Sequence, residues 1–242
     1  MLQIASEEAR DGQPCLRLPP CALDIFFRSQ GRMTADLPIP PPFVIDVDFA
    51  ATTLIVNLRI FGLAQPWAKE AASTLQAALM RGVSGKVTEP GLEILACDIA
   101  RQSGEHVAPD ATAATLRFQT PVALIRNGRL LEDFSGLMSA LGNRISGIAR
   151  WHGLRIDADW SDVKAASRNL AFDGSRLERV QWTRGSKRQG GRVLIMEGWL
   201  GPLEISGDLK PFLQLLVLGE VCHVGSHAAL GLGRYGLSLR DQ

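Results

Sequence analysis

The sequence predicts an α+β protein built as two successive units, each alternating strands with helices. Three observations carry that expectation. Apolar stretches of strand length, rich in β-branched residues, interleave with stretches of helical period. A polar segment from Ala100 to Thr112, marked by Gly104 and Pro109, separates two such series, and the order strand, helix, strand occurs on both sides of it. With 242 residues, 46% of them hydrophobic, the chain can bury a core of ordinary size as one large or two small domains, and disorder is excluded. The division expected is residues 1–105 and 106–242.

In the first unit the opening forty residues are punctuated by proline and are the least readable. Ala22 to Arg28 reads as a strand, and Pro38-Ile-Pro-Pro-Pro42 forces an extended, helix-free segment. Thr52 to Phe61 is β-branched and apolar and reads as a strand; Pro66 opens a helix over Trp67 to Arg81; Leu92 to Ile99 reads as another strand. In the second unit Thr112 to Phe118 is a strand, and Val122 to Ile125 and Arg129 to Leu131 flank an Asn127-Gly128 turn. Asp133 or Ser135 caps a helix reaching His152, with Leu137, Leu141, Ile145 and Ile148 at helical spacing, and Asp159 to Leu170 forms a second short helix. Leu177 to Thr183 and Arg192 to Ile205 are strands joined by a basic turn, Arg184 to Gly191. Leu209 to Val221 is the last helix, followed by a glycine-rich loop and a short strand, Arg234 to Leu239.

The formal net charge of +1 conceals a local imbalance. Arg176, Arg179, Arg184, Lys187, Arg188 and Arg192 fall within seventeen residues whose one acid is Glu178. Arginine supplies 21 of the 26 cations, and its planar fork of donors suits phosphates and base edges, so composition permits a nucleic-acid partner. Cys15, Cys21, Cys97 and Cys222 show neither paired nor zinc-ligand spacing, which fits a reducing cytoplasm and no metal centre. A signal-peptide pattern and an apolar run of membrane-spanning length are both missing, so a soluble, intracellular, cytoplasmic protein without a membrane partner is expected.

The glycine-rich loop carries the most information. Val221 to Leu237 sets Gly225, Gly231 and Gly233 around His223, His227 and Arg234. Glycine reaches φ > 0 and leaves its N–H groups bare, as a loop that hugs a phosphate does. A tight turn without a ligand uses the same residues. Gly231 to Gly236 also satisfies the dinucleotide fingerprint GxGxxG, but that fingerprint needs a following helix and a later acidic residue, and a strand-like segment follows instead.

Five pieces resemble one family in order and spacing over half the chain. They are Leu130-Leu-Glu-Asp-Phe134; Ile148-Ala-Arg-Trp-His-Gly153; Val180-Gln-Trp-Thr183 with its Ser-Lys-Arg-Gln-Gly turn; Gly207-Asp-Leu-Lys-Pro-Phe-Leu213; and Leu218 to Gly225 with Gly231 to Tyr235. The segment from about Thr115 to Leu239 is similar to the C-terminal half of the CRISPR-associated precursor-crRNA-processing endoribonucleases of the RAMP superfamily. Two departures stand out. Gly225-Ser226 occupies the place of the family's common Gly-Lys, with Leu230 where an aromatic often stands, and the opening region has no histidine before His106, where many members carry a general base. The divergent first half points to an unusual subtype such as type IV.

The resemblance implies two tandem ferredoxin-like, RRM-like domains with a C-terminal glycine-rich loop, a repeat-RNA stem-loop bound across them, and partner subunits of a CRISPR effector complex in antiviral defence. It also implies cleavage without metal or cofactor. A 2′-hydroxyl attacks the adjacent phosphorus, which asks for a base, a cation on the phosphorane and an acid for the leaving oxygen. The catalytic candidates are His227, His223 and Arg234. His223, between Val221 and Val224, also reads as a buried ring bonded to backbone. The RNA-binding candidates are Arg184, Lys187, Arg188 and Arg192 of the basic turn, Gly225, Ser226, Gly231 and Gly233 of the loop, and Arg28 and Arg32 of the first unit. His152 reads as a helix-end cation, His106 as solvated, and Tyr235, Trp182 and Trp199 as core rings. A hairpin-binding subunit that has lost cleavage would show the same residues.

Overall fold

The computed structural model describes residues 21–28, 31–35, 37–82, 92–101, 111–186 and 192–240. The fold is mixed α+β with two sheet-containing regions. The second region follows from period-two alternation in three long strands: β5 (Ala113–Val122), β10 (Arg192–Ser206) and β11 (Tyr235–Arg240). Ala114, Leu116, Phe118, Leu203, Ile205 and Tyr235 are buried on one face, while Thr115, Arg117, Glu204, Ser238 and Arg240 lie on the other. The sheet order is β11–β5–β10–β8, all antiparallel, with β8 at Ala171–Asp173; β9 (Glu178–Ser186) pairs with the first part of β10. The pairing matches Leu116 to Leu203 on one side and to Leu237 on the other.

Two helices cover the apolar face. Helix α3 (Leu137–Trp151) sends Leu137, Met138, Leu141 and Ile145 into the core, and α5 (Leu213–Cys222) adds Leu213 and Leu216. Asp133 Oδ1 accepts the Ser135 N–H (2.9 Å) and hydroxyl just ahead of α3. Helix α4 (Trp160–Ser167) is capped by Asp159, which accepts the N–H groups of Ser161 and Asp162. The Asn127-Gly128 turn joins β6 (Ile125–Arg126) to β7 (Arg129–Leu130), both turn residues having positive φ. Tyr235 is a core ring, stacked edge-on with Phe118 and donating its hydroxyl to Leu216 O.

The first region holds α1 (Ala22–Phe27), the short pair β1 (Arg32–Thr34) and β2 (Leu37–Pro38), and the hairpin β3 (Phe43–Ala50) with β4 (Thr53–Ile60). A 3-10 turn (Gly62–Trp67) then leads into α2 (Ala68–Met80). Three expectations are corrected. Ala22–Phe27 is a helix because Ala22, Asp24 and Ile25 share its buried side and Asp24 pairs with Arg28 one turn on, 2.9 Å away. Residues 92–101 form no strand, for Leu95 and Ile99 are 74% and 56% exposed and no described strand pairs with them. Leu209 to Phe212 is a turn, the helix starting at Leu213.

The regions meet along α3. Pro40 crosses it at Gly147, where an added Cβ would lie 2.2 Å from the proline ring, and the Trp151 indole donates to Pro40 O at 2.9 Å. Gly62, at φ +55°, meets the last carbonyl of the same helix, a Cβ there lying 2.0 Å from Trp151 O. Gly147→Val should therefore cost about 1–3 kcal/mol by overpacking. Gly136→Ala, whose Cβ meets only ordinary contacts, should stay within about 0.5 kcal/mol. Urea melts of both variants check this, and equal midpoints would remove the Pro40 crossing from the stability of the fold.

Candidate nucleic-acid interface

The hairpin β3–β4 has two chemically opposite faces because its residues alternate. Its register pairs Val44 with Arg59, Asp46 with Asn57 and Asp48 with Ile55, placing two carboxylates, an amide and a guanidinium together. Phe43, Ile45, Val47 and Phe49 occupy the other face with Leu54, Val56, Leu58 and Ile60. The polar face turns toward the glycine-rich loop.

Asp46 is the centre of the contact, its side chain almost wholly buried. Asn57 donates to its Oδ1 at 2.9 Å, Arg59 Nη1 lies 3.2 Å from its Oδ2, and Arg234 Nη1 reaches Oδ1 at 3.4 Å. Arg234 is held more closely by Asp48, at 2.6 Å. Two guanidinium groups thus face two carboxylates. His223 lies against them with no exposed surface, Nε2 3.4 Å from Arg59 Nη1 and 3.9 Å from Asp46 Oδ2. Burial first, then the Arg59 charge, pushes its pKa down to about 4, with Asp46 opposing and Arg144 and Arg234 adding to the fall. The ring is neutral at physiological pH. Its backbone (φ 58°, ψ 170°) caps α5 in a conformation that glycine ordinarily occupies.

Arg144 makes a second joint. It is buried on α3, donates to Cys222 O at 2.9 Å and to Phe43 O at 3.3 Å, and so satisfies a carbonyl at the end of α5 while holding the start of β3. Burial lowers its pKa to about 10, which leaves it cationic.

The loop glycines are explained by protein, at distances no side chain tolerates. A Cβ on Gly231 would lie 2.5 Å from Ile45 O, on Gly233 1.8 Å from Val224 O, and on Gly225 2.8 Å from Ala123 O, all three with positive φ. The N–H groups expected to be bare are used internally: Ser226 donates to Ala123 O, Gly231 to Ala228 O, Gly233 to Pro121 O and Arg234 to the Thr120 hydroxyl. Close backbone approach is real; in this structure it is to Ile45 of β3, to Ala123 just after β5, and to Val224.

Of the catalytic candidates, His223 and Arg234 sit together inside this interlock, neutral in one case and charge-matched in the other. His227 is exposed, at φ 60° ahead of the 3-10 turn Ala228–Leu230. Among the RNA-binding candidates, Arg28 pairs with Asp24, and Arg32 is exposed and donates to Ala35 O. Lys187 and Arg188 lie outside the described residues. Arg184 and Arg192 are backbone partners of Leu194 and Ser186 in β9 and β10. His106 lies outside the described residues, and His152 is exposed at the end of α3. Asp46, Asp48, Asn57, Arg59 and Arg144 were not singled out from sequence. Asp46-Val-Asp48 inside an apolar strand was the available signal. No described helix is long and apolar enough to cross a membrane, and the described residues contain no cluster of three or more potential metal ligands.

Gly233→Val should fail first as a fold, losing more than about 2 kcal/mol in a denaturant melt, because backbone rather than a movable side chain blocks it. A variant as stable as the parent would show that the loop can move. The neutral His223 gives a second expectation. Unfolded chains take up its proton below about pH 6.5, the folded protein only near 4, so stability falls as pH drops through that window, by up to about 3 kcal/mol. Melts from pH 7 to 4 should show a smaller loss in His223→Asn; parallel curves would refute it.

Residues 116–235 match the family model of the CRISPR-associated endoribonuclease Cas6. The fold is similar to a Cas6 (TTHB231) product complex from Thermus thermophilus, with TM-score 0.58 and 17% identity over 81% of this chain and 82% of that one. A Cas6 (TTHA0078) product complex gives 0.55 and 16% over 82% and 83%, and the Cas6 (TTHA0078) substrate mimic complex 0.51 and 16% over 83% and 86%. No curated protein matches the chain. The structural likeness thus extends through the first half, beyond the reach of the family model. Residues 116–235, just under half of the chain, thus match the model of the CRISPR-associated endoribonuclease Cas6, and the fold over most of the chain is similar to that of solved Cas6 structures.

Proposed function

We propose that the protein binds the stem-loop of a CRISPR repeat RNA across the seam between its two regions and cleaves the RNA beside it without a metal ion. The 2′-hydroxyl attacks the adjacent phosphorus, leaving a 2′,3′-cyclic phosphate and a 5′-hydroxyl, and the protein keeps the 3′ hairpin for the other subunits of an effector complex. In this reading the chain is two ferredoxin-like domains dividing near residues 105 and 106. The second domain is the strand-helix-strand-strand-helix-strand series from β5 to β11. The divergent first domain is the ground for a subtype such as type IV.

One observation carries the reading: His227 is the exposed candidate, on a loop fastened on both sides. Ser226 N donates to Ala123 O, Leu230 N to His227 O, and the Thr120 hydroxyl to Gly231 O at 2.7 Å. Histidine is the side chain most often used for general acid–base work, and the fastened backbone fixes where this one stands. Phosphate contacts fall to Arg184, Lys187, Arg188 and Arg192, since Arg234 already faces two carboxylates. That commitment of Arg234, with the burial of His223, favours a second reading, a hairpin-binding subunit that does not cut.

Incubating the protein with repeat-hairpin RNAs in EDTA separates the two. Cleavage is expected to give a cyclic phosphate, with His227→Ala slowing it about 100-fold or more and changing affinity only a few-fold. Cutting by His227→Ala at the parental rate would deny the histidine a chemical role, and tight binding without cutting by the parent would establish the second reading. Replacing Arg184, Lys187 and Arg188 together with alanine should lower both affinity and the dependence of binding on salt. Unchanged binding would leave that turn as a solvated hairpin tip.

A further inference from the structure

Trp182, expected from sequence to be a core ring, is not part of the core cluster. It is half-buried on β9 and lines a shallow cleft of about 310 Å³ with Val180, Gln181, Leu200, Pro121 and Leu232. Strand register explains the wall. Trp182 pairs with Met196, Val180 with Gly198 and Glu178 with Leu200, so Trp182, Val180 and Leu200 share a face. Gly198 leaves the room in which Pro121 closes the cleft, a Cβ there lying 3.2 Å from the proline Cβ and 2.9 Å from Val122 O. Leu232 is set opposite by its neighbours. Gly231 and Gly233 both have positive φ, and Gly233 N donates to Pro121 O at 3.0 Å. The glycine-rich loop thus presents an apolar side chain to the indole, while its own N–H groups at Gly231 and Gly233 are used within the protein.

We propose that this cleft takes one unpaired nucleobase of the RNA next to the hairpin, stacked on the Trp182 indole and closed by Leu232 and Pro121. This rests on the RNA-binding reading above and names a specificity subsite for it. Two features make a base the fitting occupant. The cleft is shallow and mostly apolar beside the Trp182 indole, the kind of surface on which the face of a base stacks. It also adjoins a cationic stretch in the sequence: Arg184 follows Trp182 by two residues in β9, and Lys187, Arg188 and Arg192 come after it along the chain. A base within a duplex has no free face, so the nucleotide bound is one flanking the stem.

The test uses the full chain with a repeat hairpin carrying flanking nucleotides, each made abasic in turn. With the parental protein one flanking position should weaken binding about 5- to 100-fold when its base is removed. The same removal should cost Trp182→Ala almost nothing and Trp182→Phe most of the parental loss. Indifference of the parental protein to every flanking base would overturn the subsite, and that measurement needs no variant to fold. Equal sensitivity of Trp182→Ala and parent would overturn it as well. Parental RNA affinity in Trp182→Ala, with loss of a protein partner instead, would assign the cleft to protein docking and overturn the proposal. Failure of the parent to bind any hairpin would instead sink the RNA-binding reading on which this rests.

Discussion

A buried carboxylate governs how the two halves of this molecule fit. Transferring Asp46 out of water costs several kcal/mol, and only partners of opposite charge and good geometry offset it. Those partners come from separate stretches of chain: Asn57 and Arg59 from the neighbouring strand, Arg234 from the loop. Removing any one of the cations leaves charge uncompensated in a dry place, worth about 3–5 kcal/mol by comparison with other buried pairs. The hairpin, the loop and the end of α5 are therefore one electrostatic unit, and the glycines supply the closeness it demands. Gly231 lets the loop reach Ile45, one residue before Asp46.

That unit divides the labour of the surface. At the seam Asp46 and Asp48 face Arg59 and Arg234, with an uncharged His223 beside them and the Arg144 cation at the adjoining joint. The run from Arg176 to Arg192 holds six cations to the one acid Glu178 in sequence; among its described side chains Arg176 pairs with Glu204, and Arg179 with Glu197 and Glu132. The strained backbone of His223 belongs to the same design: its ring is packed so tightly among Arg59, Asp46 and the end of α5 that a conformation suited to glycine persists.

How far the sequence discloses this depends on whether the signal is local. The strands of the second sheet, α3 and the Asn127-Gly128 turn announce themselves because each rests on its own periodicity or turn chemistry. Ala22–Phe27 and Leu92–Ile99 mislead because a short apolar run has no period of its own; one became a helix through its buried side, the other stays exposed without a strand partner among the described residues. The glycine-rich loop was legible as a place of close approach, yet what it approaches is a strand some 180 residues earlier, a fact no window of sequence contains. β3 itself went unread, although alternating Asp46 and Asp48 within Phe43–Ala50 marked a strand with one polar face.

The distance along the chain between Asp46 and Arg234 has a consequence for synthesis. They are 188 residues apart, so a ribosome delivers the carboxylate long before its guanidinium. Pro40, which rides over Gly147, likewise waits more than one hundred residues for the helix it crosses. The early hairpin can pair its strands at once, through Asn57 and Arg59, but its docking is deferred until the loop emerges. During that interval Asp46, almost wholly buried in the finished fold, stands open to water. The molecule completes itself backwards, its last-made loop fixing its earliest hairpin.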